Sequence, residues 1–148
     1  MKVVAKNECA VSFPSRSSNE GLARGVVACF VAQADPTIHE LEDIKTAVSE
    51  AVTNAIVHGY PEGIGMVYLK GRLFEDYLEI SVQDKGCGIA DVEQARQPMF
   101  TTGGAERSGM GITIMDSFMD NVRIRSTIGK GTVVVMKKKL APRMKASR

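Results

Sequence analysis

The longest regular hydrophobic pattern in the sequence lies between Thr37 and Gly59. Its apolar residues recur every three or four positions, which is the spacing of one face of an α-helix. They are Ile38, Leu41, Ile44, Val48, Val52 and Ala55. Thr37 is suited to cap this helix, and Glu40 three residues later completes a capping box. The sequence therefore predicts a long helix that begins after Thr37 and ends at Gly59.

A shorter helical pattern begins near Asn19, after an alternating run at residues 9–13 that suits a strand ending at Pro14. The apolar face of this helix is formed by Leu22, Val26, Val27, Phe30 and Val31. Arg24 falls away from that face, so packing does not require an arginine there.

Beyond Gly63 the hydrophobic pattern changes to a period of two, which is typical of strands. The alternating runs are residues 66–74, 77–82, 122–126 and 132–136. Glu75-Asp76 between the first two predicts a hairpin. A short helix near residues 91–96 and another at about 111–119 complete the pattern. We expect a two-layer α/β sandwich, with helices on one face of a mixed, mostly antiparallel sheet of about five strands.

The length and composition predict one domain over residues 1–138, followed by a basic tail at 139–148. The chain has 148 residues, of which 44% are hydrophobic. Residues 137–148 hold six of the 19 basic residues and no acid, so the remainder has 13 basic and 17 acidic residues and a net charge of −4. An acidic body argues against direct nucleic-acid binding by the folded domain.

The sequence also argues against membrane, secretory and metal-cluster classes. No apolar run approaches the roughly 20 residues that span a bilayer, and the N-terminus lacks the apolar region of a secretory signal. The three cysteines, Cys9, Cys29 and Cys87, have neither the even number of a disulfide framework nor the spacing of a zinc site. We expect a cytoplasmic protein with no membrane association.

Three short motifs carry chemistry. Glu50 and Asn54 are four residues apart and share one face of the long helix, away from its apolar stripe. A carboxylate and an amide oxygen so placed can hold a water molecule and a magnesium ion, although a solvated helix face would look the same.

The second motif is Asp84-Lys85-Gly86-Cys87-Gly88, which directly follows a predicted strand. Its aspartate can accept a hydrogen bond from an exocyclic amine, and Gly86 and Gly88 let the backbone approach a flat ring. A simple turn with a capping aspartate is the alternative.

The third motif is Gly109-Met110-Gly111, which opens a helix whose free amides and dipole favour phosphate oxygens. It is neither a Walker A sequence nor a complete dinucleotide fingerprint, and a glycine-rich helix start is the alternative.

Together with Gly131-Thr132, these motifs resemble the N box, the G1 and G2 boxes and the final Gly-Thr of an ATPase superfamily with a Bergerat-type fold. Gyrase B, Hsp90, bacterial histidine kinases and MutL share this superfamily, and the resemblance spans about residues 10–138. Within it, the chain is most similar to the small serine kinases that act as anti-sigma factors in spore-forming bacteria. The stretches that carry this similarity are SEAVTNAIVHGYPE, VQDKGCGIADVEQARQPMFTT and ERSGMGITIMDSFMDNVRIRSTIGKGT.

The resemblance implies binding of ATP or ADP with Mg²⁺, and a role for each motif. Glu50 would be the general base that takes the proton from a substrate serine, and Asn54 would hold the magnesium ion. Asp84 would read the adenine amine beside the Thr132 hydroxyl. Residues 94–108 match the family's ATP lid. The nucleotide contacts implied in and after this lid are Thr101, Arg107, Ser108, Gly109, Met110 and Gly111, and a solvated Arg107 is equally compatible with the sequence.

The resemblance also implies protein partners. Members of this type bind a sporulation sigma factor of the sigma F type and phosphorylate a serine on its anti-anti-sigma antagonist. Arg24 matches the position at which they contact both partners, and a homodimer is expected by resemblance alone. Two alternatives are a non-catalytic module that uses ATP to select partners, and the ATPase domain of a histidine kinase.

Overall fold

The computed structural model describes residues 3–96 and 111–141. Its strands and helices follow the predicted order. They are β1 (Asn7–Pro14), α1 (Asn19–Val31), α2 (Ile38–Asn54), β2 (Met66–Leu73), β3 (Tyr77–Asp84), α3 (Val92–Ala95), α4 (Gly111–Phe118), β4 (Asn121–Thr127) and β5 (Gly131–Lys139). A 3₁₀ turn at Ala32–Ala34 follows α1, and a π-helical turn at Ala55–Gly59 extends α2. No helix in the described ranges is both long enough and apolar enough to cross a membrane.

The five strands form one sheet in the order β1-β2-β3-β5-β4, and each described pairing is antiparallel. The sequence predicted a mixed, mostly antiparallel sheet. The antiparallel character is confirmed, and the described strands include no parallel pair. Two helices separate β1 from β2, so the chain returns to pair with its first strand in the opposite direction. β3 and β4 run in the same direction, but β5 lies between them and removes the parallel contact.

One face of the sheet and the helices enclose the hydrophobic core of the described residues. β2 and β3 alternate buried and less buried residues, with Val67, Leu69, Leu78, Ile80 and Val82 facing inward. α2 packs against both α1 and α4, and contacts connect these helices to the sheet. The α/β sandwich with helices on one face is therefore confirmed.

The capping box predicted for the long helix is confirmed. Thr37 Oγ1 accepts a hydrogen bond from Glu40 N–H at 3.0 Å, and Glu40 Oε1 accepts one from Thr37 N–H at 2.8 Å. Such a cap contributes about 1 kcal/mol.

Two members of the predicted apolar faces lie in solvent instead of the core. Ile38 is 81% exposed at the first position of α2, and Leu22 on α1 is 50% exposed. The buried face of α2 consists of Ile44, Ala47, Val48, Ala51 and Val52. Periodicity identifies the side of a helix that is apolar, but it does not say how far the neighbouring layer extends along it.

The predicted hairpin at Glu75-Asp76 is also present, closed by a hydrogen bond from Phe74 N–H to the carbonyl of Tyr77 at 2.9 Å. The last described residues return to the same end of the molecule. Leu140 N–H donates to the carbonyl of Asp76 at 3.0 Å, and Ala141 N–H donates to Glu40 at 2.9 Å. The division into a domain at 1–138 and a tail at 139–148 stays a prediction.

Candidate functional site

A cavity of about 390 Å³ lies between α2, α4, the loop after β3 and strands β4 and β5. Most of its wall is apolar, with Val82, Met115 and Val134 among the buried lining residues. Its polar lining residues include Asn54, Asp84 and Thr132. An apolar cleft of this size with a few polar groups is typical of a small-molecule site.

Asp84 is the last residue of β3 and lies in the wall of the cavity with only 5% of its surface exposed. Its Oδ1 accepts a hydrogen bond from Gly86 N–H at 2.9 Å. Burial raises the pKa of the Asp84 carboxyl, while hydrogen bonds from the backbone N–H groups of Gly86 and Thr132 act in the opposite direction. Asp84 therefore caps a turn, and its buried carboxyl also lines the cavity, where it can accept a hydrogen bond.

The glycines after Asp84 allow their loop to pack tightly. A β-carbon on Gly86 would overlap the carbonyl of Gly59, and Cys87 N–H donates to that same carbonyl at 2.9 Å. Gly88 has a φ of 80°, in the region that favours glycine, and a β-carbon there would overlap the backbone of Thr127. The loop is thus held between the π-helical turn that extends α2 and the β4–β5 hairpin.

Glu50 and Asn54 lie on one side of α2, as predicted, and both are half-buried. The first residue of α4, Gly111, covers them. A β-carbon on Gly111 would lie 3.1 Å from Asn54 Nδ2, 3.2 Å from Asn54 Oδ1 and 3.2 Å from Glu50 Oε1. Asn54 lines the cavity, whereas Glu50 does not border it. The structure therefore brings these three predicted residues together where Asn54 and Gly111 line the cavity.

Thr132 lies opposite Asp84 on the neighbouring strand β5, and it is 8% exposed. Its hydroxyl is 2.8 Å from Ser126 Oγ. Ser126 also accepts a hydrogen bond from Ile89 N–H at 2.6 Å and donates to the carbonyl of Gly131 at 3.1 Å. Sequence reasoning did not single out Ser126, because a serine in an alternating strand gives no signal of its own.

Tyr60 is a second residue that the sequence did not reveal. Its hydroxyl donates to the carbonyl of Met66 at 2.7 Å and accepts from Lys85 N–H at 2.6 Å. These bonds tie the residue after Asp84 to the start of β2. A tyrosine followed by proline at a helix end indicates only a turn, so no local pattern could have found this role.

Arg24 is exposed on α1 and does not line the cavity. Its Nε forms an ion pair with Glu20 at 3.0 Å, and Glu20 also accepts a hydrogen bond from Ser49 Oγ. The arginine is thus linked through one carboxylate to the residue that precedes Glu50. Five other predicted site residues, Thr101, Arg107, Ser108, Gly109 and Met110, lie outside the described residues.

Comparison with known proteins shows the family of this chain. The family model described as the histidine kinase-like ATPase domain matches residues 13–138. The anti-sigma F factor of Geobacillus thermodenitrificans is 53% identical over 140 residues, which cover 92% of this chain and 94% of the relative. This chain belongs to the anti-sigma F factor family of histidine kinase-like ATPase domains. The anti-sigma F factor of Heyndrickxia coagulans is 55% identical over 139 residues, covering 92% of this chain and 95% of the relative.

Solved structures show the same fold as this anti-sigma F family member. The structure of the RsbU and RsbW domains of a Mycobacterium tuberculosis protein superimposes with a TM-score of 0.65 at 19% identity, over 91% of this chain and 32% of that one. A mycobacterial sensor histidine kinase, MprB, gives a TM-score of 0.56 at 19% identity, over 70% of this chain and 74% of its own.

Proposed function

We propose that this chain is a cytoplasmic, ATP-dependent protein serine kinase and anti-sigma factor. It binds and inhibits a sporulation sigma factor of the sigma F type, and it phosphorylates a serine on the anti-anti-sigma antagonist. One observation carries the catalytic part of the proposal. Glu50 and Asn54 approach the same point at the start of α4, and Asn54 and Asp84 both line the cavity.

The part of the cavity at the buried residues Asp84 and Thr132 suits an adenine base. Asp84 and Thr132 present a carboxyl and a hydroxyl from adjacent positions on β3 and β5. Apolar side chains, among them Met115 and Val134, are placed to contact the flat ring. The ring would be removed from water by apolar contacts, and its amine would donate to protein acceptors in place of water.

The part of the cavity at Asn54 and Gly111 suits phosphates and magnesium. Within residues 3–96 and 111–141, no group of three or more His, Cys, Asp or Glu side chains is arranged to hold a metal ion. The ligands of a magnesium ion at Asn54 would therefore include phosphate oxygens, which is the usual arrangement for this metal. The space that a side chain on Gly111 would fill fits this role, because the Asn54 amide group and a Glu50 oxygen both border it. The metal would neutralise phosphate charge.

Glu50 is the proposed general base. A carboxylate beside the phosphate end of the site can take the proton of an incoming serine hydroxyl as its oxygen attacks the γ-phosphorus. The bond between the γ-phosphorus and the β,γ-bridging oxygen would break, and ADP would leave with its electron pair. Positioning and charge neutralisation supply most of the catalysis in phosphoryl transfer, so one base and one metal suffice.

The partner assignments rest on family membership. Relatives that are about half identical in sequence carry the name anti-sigma F factor, which supports sigma-factor binding by this chain. Arg24 is exposed on α1, so a partner can reach it. We propose that Arg24 contacts both the sigma factor and the antagonist, and that the chain acts as a homodimer.

The substitution Glu50→Gln tests the kinase. The protein would be mixed with ATP, magnesium and the serine-bearing antagonist, and phosphate transfer would be followed together with nucleotide binding. We expect transfer to be lost while nucleotide still binds. The matched control Glu62→Gln removes an exposed carboxylate from the loop before β2 and should leave transfer unchanged. Transfer that survives in Glu50→Gln would rule out the proposed base.

The chemistry of the product separates the kinase from its alternatives. Phosphoserine survives acid, whereas phosphohistidine is labile, so an acid-labile product would support the histidine kinase alternative. A wild-type protein that binds ATP but never transfers its γ-phosphate in the presence of the antagonist would support a non-catalytic, nucleotide-gated binding module.

A further inference from the structure

Ser126 makes no contribution to the proposed catalytic chemistry. Its hydroxyl nevertheless has three polar contacts, close to the proposed adenine site at Thr132. Ile89 N–H lies 2.6 Å from Ser126 Oγ, the carbonyl of Gly131 lies at 3.1 Å and Thr132 Oγ1 at 2.8 Å. The side chain is half-buried on β4, and Ser126 is the register partner of Thr132 on β5.

The donors and acceptors around Ser126 determine where its hydrogen lies. A serine hydroxyl has one hydrogen to donate and two lone pairs that accept. The Ile89 amide can only donate, and the Gly131 carbonyl can only accept. If Ser126 donates to Gly131, it can accept from Ile89 and from the Thr132 hydroxyl, and all three contacts become hydrogen bonds. If Ser126 instead donates to Thr132, the contact with Gly131 is lost.

The first arrangement fixes the hydrogen of Thr132. Its hydroxyl hydrogen points at Ser126, so only its lone pairs remain for a ligand in the cavity. The Asp84 carboxyl lies on the neighbouring strand, opposite Thr132, and lines the same cavity. An amino group can donate to these two acceptors, whereas a carbonyl oxygen at the same place would be repelled by both.

We propose that Ser126 is a positioning residue that keeps the Thr132 hydroxyl as a hydrogen-bond acceptor, and that it thereby selects 6-amino over 6-oxo purine nucleotides. The inference rests on the proposed function, since it assumes that the base of the nucleotide lies at Asp84 and Thr132. It explains selectivity for the purine by a residue that does not line the cavity but hydrogen-bonds to Thr132, which does.

The test compares the affinities of ATP and inosine triphosphate, which carries an oxygen at the position of the adenine amine, by calorimetric titration of the full chain. In Ser126→Ala the Thr132 hydrogen is free to rotate and donate to that oxygen. We expect the ratio of the two affinities to fall about tenfold, the value of one hydrogen bond. Ser126→Thr keeps the hydroxyl and should restore the ratio. The matched control is Ser81→Ala, because Ser81 alternates with the buried Ile80 and Val82 and so faces the other side of the sheet.

A second substitution shows whether Ser126 acts through Thr132. In a Thr132→Val background no hydroxyl remains to be oriented, so adding Ser126→Ala should leave the ratio unchanged. The inference is overturned if Ser126→Ala weakens both nucleotides equally, or if it lowers the ratio equally in the Thr132→Val background. If the wild-type chain binds neither nucleotide, the proposed function fails as well. A selective wild type with an unchanged Ser126→Ala ratio refutes this inference alone.

Discussion

The α-carbon of Gly59 faces the carboxyl group of Asp84 so closely that a β-carbon on Gly59 would lie 2.7 Å from Asp84 Cγ. Gly59 ends the π-helical turn that extends α2, and Asp84 ends β3. The contact joins the helix that bears Glu50 and Asn54 to the loop of the proposed base site. The position of the Asp84 carboxyl in the cavity wall therefore depends on a glycine at residue 59.

Gly59→Ala should move Asp84 away from its position in the cavity. We expect a loss of about 1–3 kcal/mol in the free energy of unfolding, because the added methyl group overpacks a buried contact. ATP affinity should fall as well. Urea denaturation and nucleotide titration measure the two effects. Gly63→Ala is the matched control, since a β-carbon on Gly63 meets nothing within 4 Å. If neither the free energy of unfolding nor the ATP affinity changes in Gly59→Ala, residue 59 does not pack closely against the Asp84 carboxyl.

Asp84→Asn should weaken ATP binding by about 10- to 100-fold, the range for a hydrogen bond to a charged group. The amide oxygen can still accept from Gly86 N–H, so the turn keeps its internal bond. The amide NH₂ would then face the adenine amine, donor against donor. Nucleotide titration measures the loss. Equal affinity in wild type and Asp84→Asn would show that this carboxyl does not read the base.

The same substitution should alter the pH dependence of stability in the nucleotide-free protein. Burial raises the pKa of the Asp84 carboxyl, and backbone hydrogen bonds only partly offset it. A group whose pKa is higher in the folded state contributes stability at pH values below its unfolded pKa and loses it as pH rises through the folded pKa. The free energy of unfolding of Asp84→Asn, relative to that of the wild type, should therefore increase as the pH rises from acidic to neutral. Thermal unfolding across this range measures the difference, and a gain confined to acidic pH would contradict it.

Tyr60→Phe should destabilise the loop that follows Asp84. The substitution keeps the ring but removes the acceptor of Lys85 N–H and the donor to the Met66 carbonyl. We expect a loss of about 1–3 kcal/mol, depending on how far water reaches the groups left unpaired. Chemical denaturation measures the loss. Tyr77→Phe is the comparison, because the Tyr77 ring stacks on Phe74 with centroids 4.5 Å apart and keeps that contact without its hydroxyl. Equal effects of both substitutions would rule out a special role for the Tyr60 hydroxyl.

The sequence determined the parts of this protein that depend on neighbouring residues along the chain. The Thr37–Glu40 capping box, the two-residue hairpin at Glu75-Asp76 and the order of helices and strands all follow from local spacing. Glu50 and Asn54 were found because a helix brings residues four apart onto one face. The family resemblance added the roles that such residues have in related proteins.

Only the tertiary structure decided which distant residues meet. Gly59 lies against Asp84, and Tyr60 binds the backbone of Lys85; the residues of each pair are 25 positions apart in the sequence. Ser126 contacts Ile89, which is 37 positions away, and Thr132 on the neighbouring strand. Each contact depends on the antiparallel register of the sheet and on the packing of α2 over it. A local pattern cannot specify these, because the free energy that fixes them comes from burying the whole interface at once. The sequence alone predicted which residues could bind a nucleotide, and the packed fold decided which distant residues contact them.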